Sequence, residues 1–97
     1  MTRTQVKLPA ETILRYIERR KTDLDVCRSA LQTGDFSKVE TIGHQLKGNA
    51  ATFGFPDLGL VGADIEKAGK DRDADLLAQN TIRLEGWLAS LGDHPAP

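Results

Sequence analysis

Apolar residues recur at three- and four-residue intervals along most of the chain, and prolines and glycines interrupt that rhythm at a few places. This is the period of an amphipathic helix, and no segment alternates in the manner of a half-buried strand. Pro9 suits the first turn of a helix, where its missing N–H is not needed. Ile13, Ile17, Leu24, Cys27 and Leu31 follow as an inner stripe, and Gly34 ends the helix as a C′ glycine. After a very short turn Asp35 is placed to cap a second helix. That helix should stop before Gly54, because Phe55 precedes Pro56 and is biased away from helical geometry.

Pro56 opens a third helix, with Asp57 near its positive end. Leu58, Val61, Ile65 and Ala68 face inward, and Gly69 is the expected stop. Gly62 is expected at a close helix contact, since a glycine weakens a helix unless another backbone needs the room. Asp71 or Asp73 caps a fourth helix, with Leu77, Leu84, Leu88 and Leu91 inside and Leu76 and Trp87 at the flanks. Gly92 ends it, and the tail Asp93-His94-Pro95-Ala96-Pro97 should fray. Short connections make antiparallel neighbours. The expected fold is therefore all-α, an antiparallel up-and-down four-helix bundle, as a single domain over residues 1–97 with an ordered core of about 8–92.

A net charge of −1 leaves no electrostatic footprint for nucleic acid or an anionic membrane. Arg19-Arg20-Lys21 is flanked by Glu18, Asp23 and Asp25 and reads as a solvated helix face. Cys27 is the only cysteine, which excludes an internal disulfide and a thiol metal cluster; its place in the apolar stripe makes it a small buried hydrophobe. No run of the chain has the length of a membrane span, and polar Thr2-Arg3-Thr4 follows Met1 where a signal sequence would be apolar. A cytosolic, soluble monomer is expected.

One segment departs from packing logic. At about 100° per residue, Phe36, Val39, Ile42, Leu46, Ala50 and Phe53 share one side of the second helix, with Gly43 near them. His44 falls on the opposite side among Thr41, Gly48, Ala51 and Thr52. Lys47 and Gly48 stand one turn on from it, at i+3 and i+4. A helix glycine costs roughly 1 kcal/mol relative to alanine, so a bare spot beside an outward histidine implies close approach by something large. An imidazole is largely neutral at pH 7 and has a free ring nitrogen, so it can attack a phosphoryl group without a neighbouring base. Lys47 is either an ordinary solvated lysine or a point charge for phosphoryl oxygens. His94 lies in the tail and no His-x-x-His or Glu-x-x-His pair surrounds His44, so no metal site is expected. No glycine-rich phosphate loop joins a strand to a helix, and no nucleotide site is expected either. Phe36 and Phe53 read as core, whereas Tyr16 and Trp87 could be core margins or partner contacts.

The string His44-Gln45-Leu46-Lys47-Gly48-Asn49-Ala50-Ala51-Thr52-Phe53-Gly54-Phe55 resembles the signature of histidine-containing phosphotransfer (HPt) domains. There a His-x-apolar-Lys-Gly core is followed by small residues and a second glycine. The resemblance takes in Leu8-Pro9, Gly34-Asp35-Phe36, and Leu58 through Ala68 with Ile65-Glu66 inside. It implies an intermediate of a multistep phosphorelay that takes a phosphoryl group from the aspartate of one receiver domain and passes it to another. By that resemblance His44 is the phosphoacceptor, Lys47 steadies the phosphoryl group and Gly48 clears space for the receiver. Gln45, Asn49 and Ala51 would border the contact. The magnesium ion and acidic pocket belong to the receiver, so no cofactor of the chain's own is implied. Glu66 matches a third-helix position that in some relatives carries a polar side chain reaching the histidine ring; the other reading pairs it with Lys70 at i+4. Lys67 and Lys70 remain open as further phosphate partners. The compact domain between Met1 and the Pro-rich tail favours a freestanding carrier. The alternatives are the phosphoacceptor module of a chemotaxis-type histidine kinase, or a receiver-binding module that transfers nothing.

Overall fold

The computed structural model describes residues 8–92. Four helices, α1 (Ala10–Thr33), α2 (Val39–Asn49), α3 (Pro56–Asp71) and α4 (Ala74–Gly92), pack as a bundle. Each helix lies against the next one in the chain, and α4 closes back on α1. The most extensive contact is between α2 and α3. No described helix is long and apolar enough to cross a membrane.

The punctuation works largely as expected. Pro9 precedes α1, and Gly34 ends it in the left-handed region at φ 80°, donating its N–H to Ala30 O at 2.8 Å. Pro56 is the first residue of α3. Asp73 is the cap of α4, its Oδ1 accepting from the Leu76 N–H at 3.0 Å. Asp71 instead closes α3 and pairs with Lys67 at 2.8 Å. Val39, Leu46, Leu58, Ile65, Leu77 and Leu84 are fully buried and join Cys27 in one core. Truncating any one of these leucines to alanine should cost about 2–5 kcal/mol. Phe36 and Phe53 pack against that core but are only partly buried.

Several local expectations are corrected. The second helix does not start at Asp35: that carboxylate accepts from the Ser37 N–H at 3.0 Å, a local turn that competes with helix, and α2 begins at Val39 without a side-chain cap. The third helix runs through Gly69 to Asp71 and ends on Arg72, a non-glycine residue at φ 51°. Gly69 serves packing, since a Cβ there would stand 2.7 Å from Glu40 Cα on α2.

The buried face of α1 is rotated from the expected stripe, to Tyr16, Arg20, Asp23, Leu24, Cys27 and Ala30. Ile13, Ile17 and Leu31 are half-buried. Arg20 is thus no part of a solvated face. It is 4% exposed, its Nε lies 2.8 Å from Asp23 Oδ2, and its guanidinium lies 4.2 Å from the Tyr16 ring centroid. A buried charge is tolerated only with such partners. Desolvation still wins at Asp23, whose carboxyl is pushed above its ordinary range despite Arg20 beside it. In α4, Leu88 and Leu91 are half-buried, while Asn80 and Thr81 are buried and bond carbonyls one turn back. The tail expected to fray lies outside the described residues.

Tyr16 is buried in the core itself, and Trp87 packs against its margin. Tyr16 stacks on Phe53 with ring centroids 4.0 Å apart, and Phe55 meets Trp87 edge-on at 5.0 Å. These rings fasten the turn after α2 to α1 and α4.

Candidate functional site

His44 stands mid-way along α2 with its side chain 71% exposed. Thr41, Gly48, Ala51 and Thr52 are exposed around it, and a Cβ at Gly48 would meet nothing within 4 Å. The imidazole therefore rises from a low, open surface, as the helical facing requires. Gln45 is exposed at its side.

What completes the site comes from the next helix. At Gly43 a Cβ would stand 2.6 Å from Glu66 Cα and from Gly62 O; at Gly62 it would stand 2.7 Å from Lys47 N and 2.5 Å from Leu46 Cβ. Two backbones approach to a distance that no side chain permits, so both positions require glycine. This crossing presses Glu66, one turn beyond Gly62, against the flank of α2. Its carboxylate then spans two partners, with Oε2 2.9 Å from His44 Nδ1 and Oε1 2.6 Å from Lys47 Nζ. The Glu66 side chain is only 13% exposed, against 48% for Lys47.

The hydrogen bond from Lys47, then that from His44, holds the Glu66 carboxyl below the usual carboxylate range, with desolvation opposing. An ionised carboxylate only accepts hydrogen bonds, so His44 Nδ1 carries the proton that faces it. In the neutral ring that tautomer leaves the lone pair on Nε2. The arrangement is an exposed imidazole oriented through Nδ1, with the Lys47 cation one turn away. Because the folded value of Glu66 is depressed, its contribution to stability is present above the ordinary carboxylate range and is lost as pH falls through the lowered value.

Glu66 does not pair with Lys70, which is exposed near the end of α3, and Lys67 is engaged by Asp71. Asn49 is half-buried on the α1 flank, where its Oδ1 accepts from the Tyr16 hydroxyl at 2.7 Å. Sequence reasoning left Gly43 without a role. The cost argument that singled out Gly62 applies equally to it and would have found it. The Tyr16–Asn49 bond had no such signal, because nothing local aims one side chain at another 33 positions away.

A model of the Hpt domain family matches residues 11–94 of the chain. Neither a curated protein nor a solved structure matches it. The chain belongs to the Hpt domain family, and membership implies histidine phosphotransfer within a phosphorelay, with receiver domains as the general partners.

Proposed function

We propose that this Hpt domain is a phosphoryl carrier in which His44 takes the phosphoryl group from a receiver aspartate and hands it to the aspartate of another receiver. The observation that carries this reading is the His44 ring itself, exposed, tied at Nδ1 to Glu66, and bordered by an open glycine. The Nε2 lone pair attacks the phosphorus of the aspartyl phosphate. The N–P bond forms as the P–O bond to the aspartate breaks, and that electron pair leaves on the carboxylate. The Nδ1 proton stays in its bond to Glu66, which balances the positive charge developing on the ring. Transfer onward is the same displacement reversed at a second receiver. Gln45, Gly48 and Ala51, exposed on this face, form the docking surface together with Asn49 on its α1 flank.

Incubation with a panel of phosphorylated receiver domains tests the reading directly. One or more should label the chain with a phosphoramidate that is acid-labile and alkali-stable. No transfer from any of them would sink it.

Two side chains have separable parts. Lys47 sits on Glu66 before the reaction and can turn to the phosphoryl oxygens once they arrive. A partly exposed charge interaction of this kind is worth on the order of 1 kcal/mol, so Lys47→Ala should slow transfer by about tenfold or less. Parental transfer rates together with a parental phosphohistidine lifetime would reduce Lys47 to a solvated lysine. Glu66 acts through the ring. In Glu66→Ala the Nδ1–H tautomer should lose its dominance, read from the ¹⁵N shifts of the imidazole, and transfer should slow by a few-fold to about tenfold. An unchanged tautomer ratio would remove Glu66 from the mechanism.

A further inference from the structure

Asn49 has a geometry that the transfer chemistry at His44 does not use. It lies one turn beyond Gln45 on α2 and is half-buried, where the exposed Gln45 flank meets the α1 side chain of Tyr16. Tyr16 reaches it from α1, and Tyr16 has little freedom to move. One ring face stacks on Phe53 at 4.0 Å and 14°, and the Arg20 guanidinium lies 4.2 Å from the ring centroid. Arg20 is in turn held by Asp23 in the buried layer. The Tyr16 hydroxyl is the donor of this pair, because a hydroxyl proton turns to suit the acceptor offered. The 2.7 Å bond therefore engages Asn49 Oδ1 as the acceptor. With Oδ1 engaged by Tyr16, the two N–H donors of Nδ2 are what the amide has left to offer a partner. Among the described residues, Nδ2 donates to nothing.

We propose that Tyr16 fixes the Asn49 amide through Oδ1 and leaves its two N–H donors for a partner, making Asn49 a specificity residue that donates to a carbonyl or carboxylate oxygen on the docking receiver. The proposal rests on the receiver-to-histidine reading above and adds the polarity of one contact to it. A purely structural latch would be served equally by aspartate, whose carboxylate can accept from Tyr16 but offers no donor.

That difference sets the experiment. Transfer kinetics are measured from the phosphorylated receiver that reacts fastest with the parental chain, and His44 labelling from phosphoramidate is measured alongside. Asn49→Asp and Asn49→Ala should each raise KM for the receiver by about tenfold, the upper range for one neutral hydrogen bond, with kcat held. Tyr16→Phe keeps the ring stack and frees the amide, so KM should rise by a smaller factor of about threefold. All three should keep the parental helical circular dichroism. Parental KM in Asn49→Ala overturns the proposal, because any defect in Asn49→Asp would then be charge repulsion. A fall in kcat, or in labelling from phosphoramidate, also overturns it, since Asn49 would then act on His44 rather than on the partner. Failure of the parental chain to accept phosphate from either source is a different result, and it removes the functional reading itself.

Discussion

His44→Gln is expected to abolish phosphoryl uptake from every receiver that labels the parental chain, with the helical circular dichroism unchanged. Glutamine has a side chain of similar reach but no nucleophilic nitrogen lone pair, since its amide nitrogen is delocalised. The imidazole is 71% exposed and contributes little packing, and its tertiary tie is the one bond to Glu66. Surface changes of this sort usually stay within about 0.5 kcal/mol in stability. The measurement is the acid-labile, alkali-stable label carried by each protein after incubation with the same phosphorylated receiver. Full labelling of His44→Gln would place the acceptor elsewhere. His94 is the one other histidine in the sequence and would be the next to replace.

The second large effect separates three glycines that look alike in the sequence. Gly43→Ala and Gly62→Ala each put a methyl group within 3.0 Å of backbone on the facing helix. Relief requires α2 and α3 to move apart, and overpacking of this kind costs about 1–3 kcal/mol or more. In a domain of this size that is a fall in Tm of roughly 4–24 °C. Gly48→Ala should do the opposite. Its Cβ would enter open space, so the helix gains up to roughly 1 kcal/mol. Gly48→Gln should also fold, yet it covers ground that a receiver aspartate must cross to reach His44. Transfer should decline with side-chain size at position 48 while thermal stability holds or rises. The decisive comparison is Tm against transfer rate across the series. Unfolding of Gly48→Gln would make that glycine a packing residue, and tolerance of Gly43→Ala would mean that α2 and α3 are less closely locked than the structure shows.

The contrast also explains how the site is assembled. Gly43 and Gly62 are needed for the helix crossing, and the crossing is what brings the Glu66 carboxylate to both His44 and Lys47. Gly43→Ala should therefore impair transfer even where the protein still folds, because Glu66 would be displaced from Nδ1.

Helix number and order, and the facing of α2 and α3, were legible in the sequence because they are local properties. The apolar period, Pro56 at a helix start, Gly34 past a helix end and the Asp73 cap each act within a turn or two of chain. The outward placement of His44 follows from the same period, as does the open ground at Gly48. The misplaced boundaries at Asp35 and Gly69 are also instructive. In the first, a side-chain turn competed with helix; in the second, a glycine served a neighbouring helix instead of ending its own. Only the tertiary structure decided that Arg20 is buried with Asp23, that Tyr16 holds Asn49, and that Glu66 engages His44 and Lys47 in preference to Lys70. Those outcomes depend on how far each helix is rotated and shifted against its neighbour. That registry is set by the sum of many packing contacts and by the close backbone approach at glycines, and no single segment carries it.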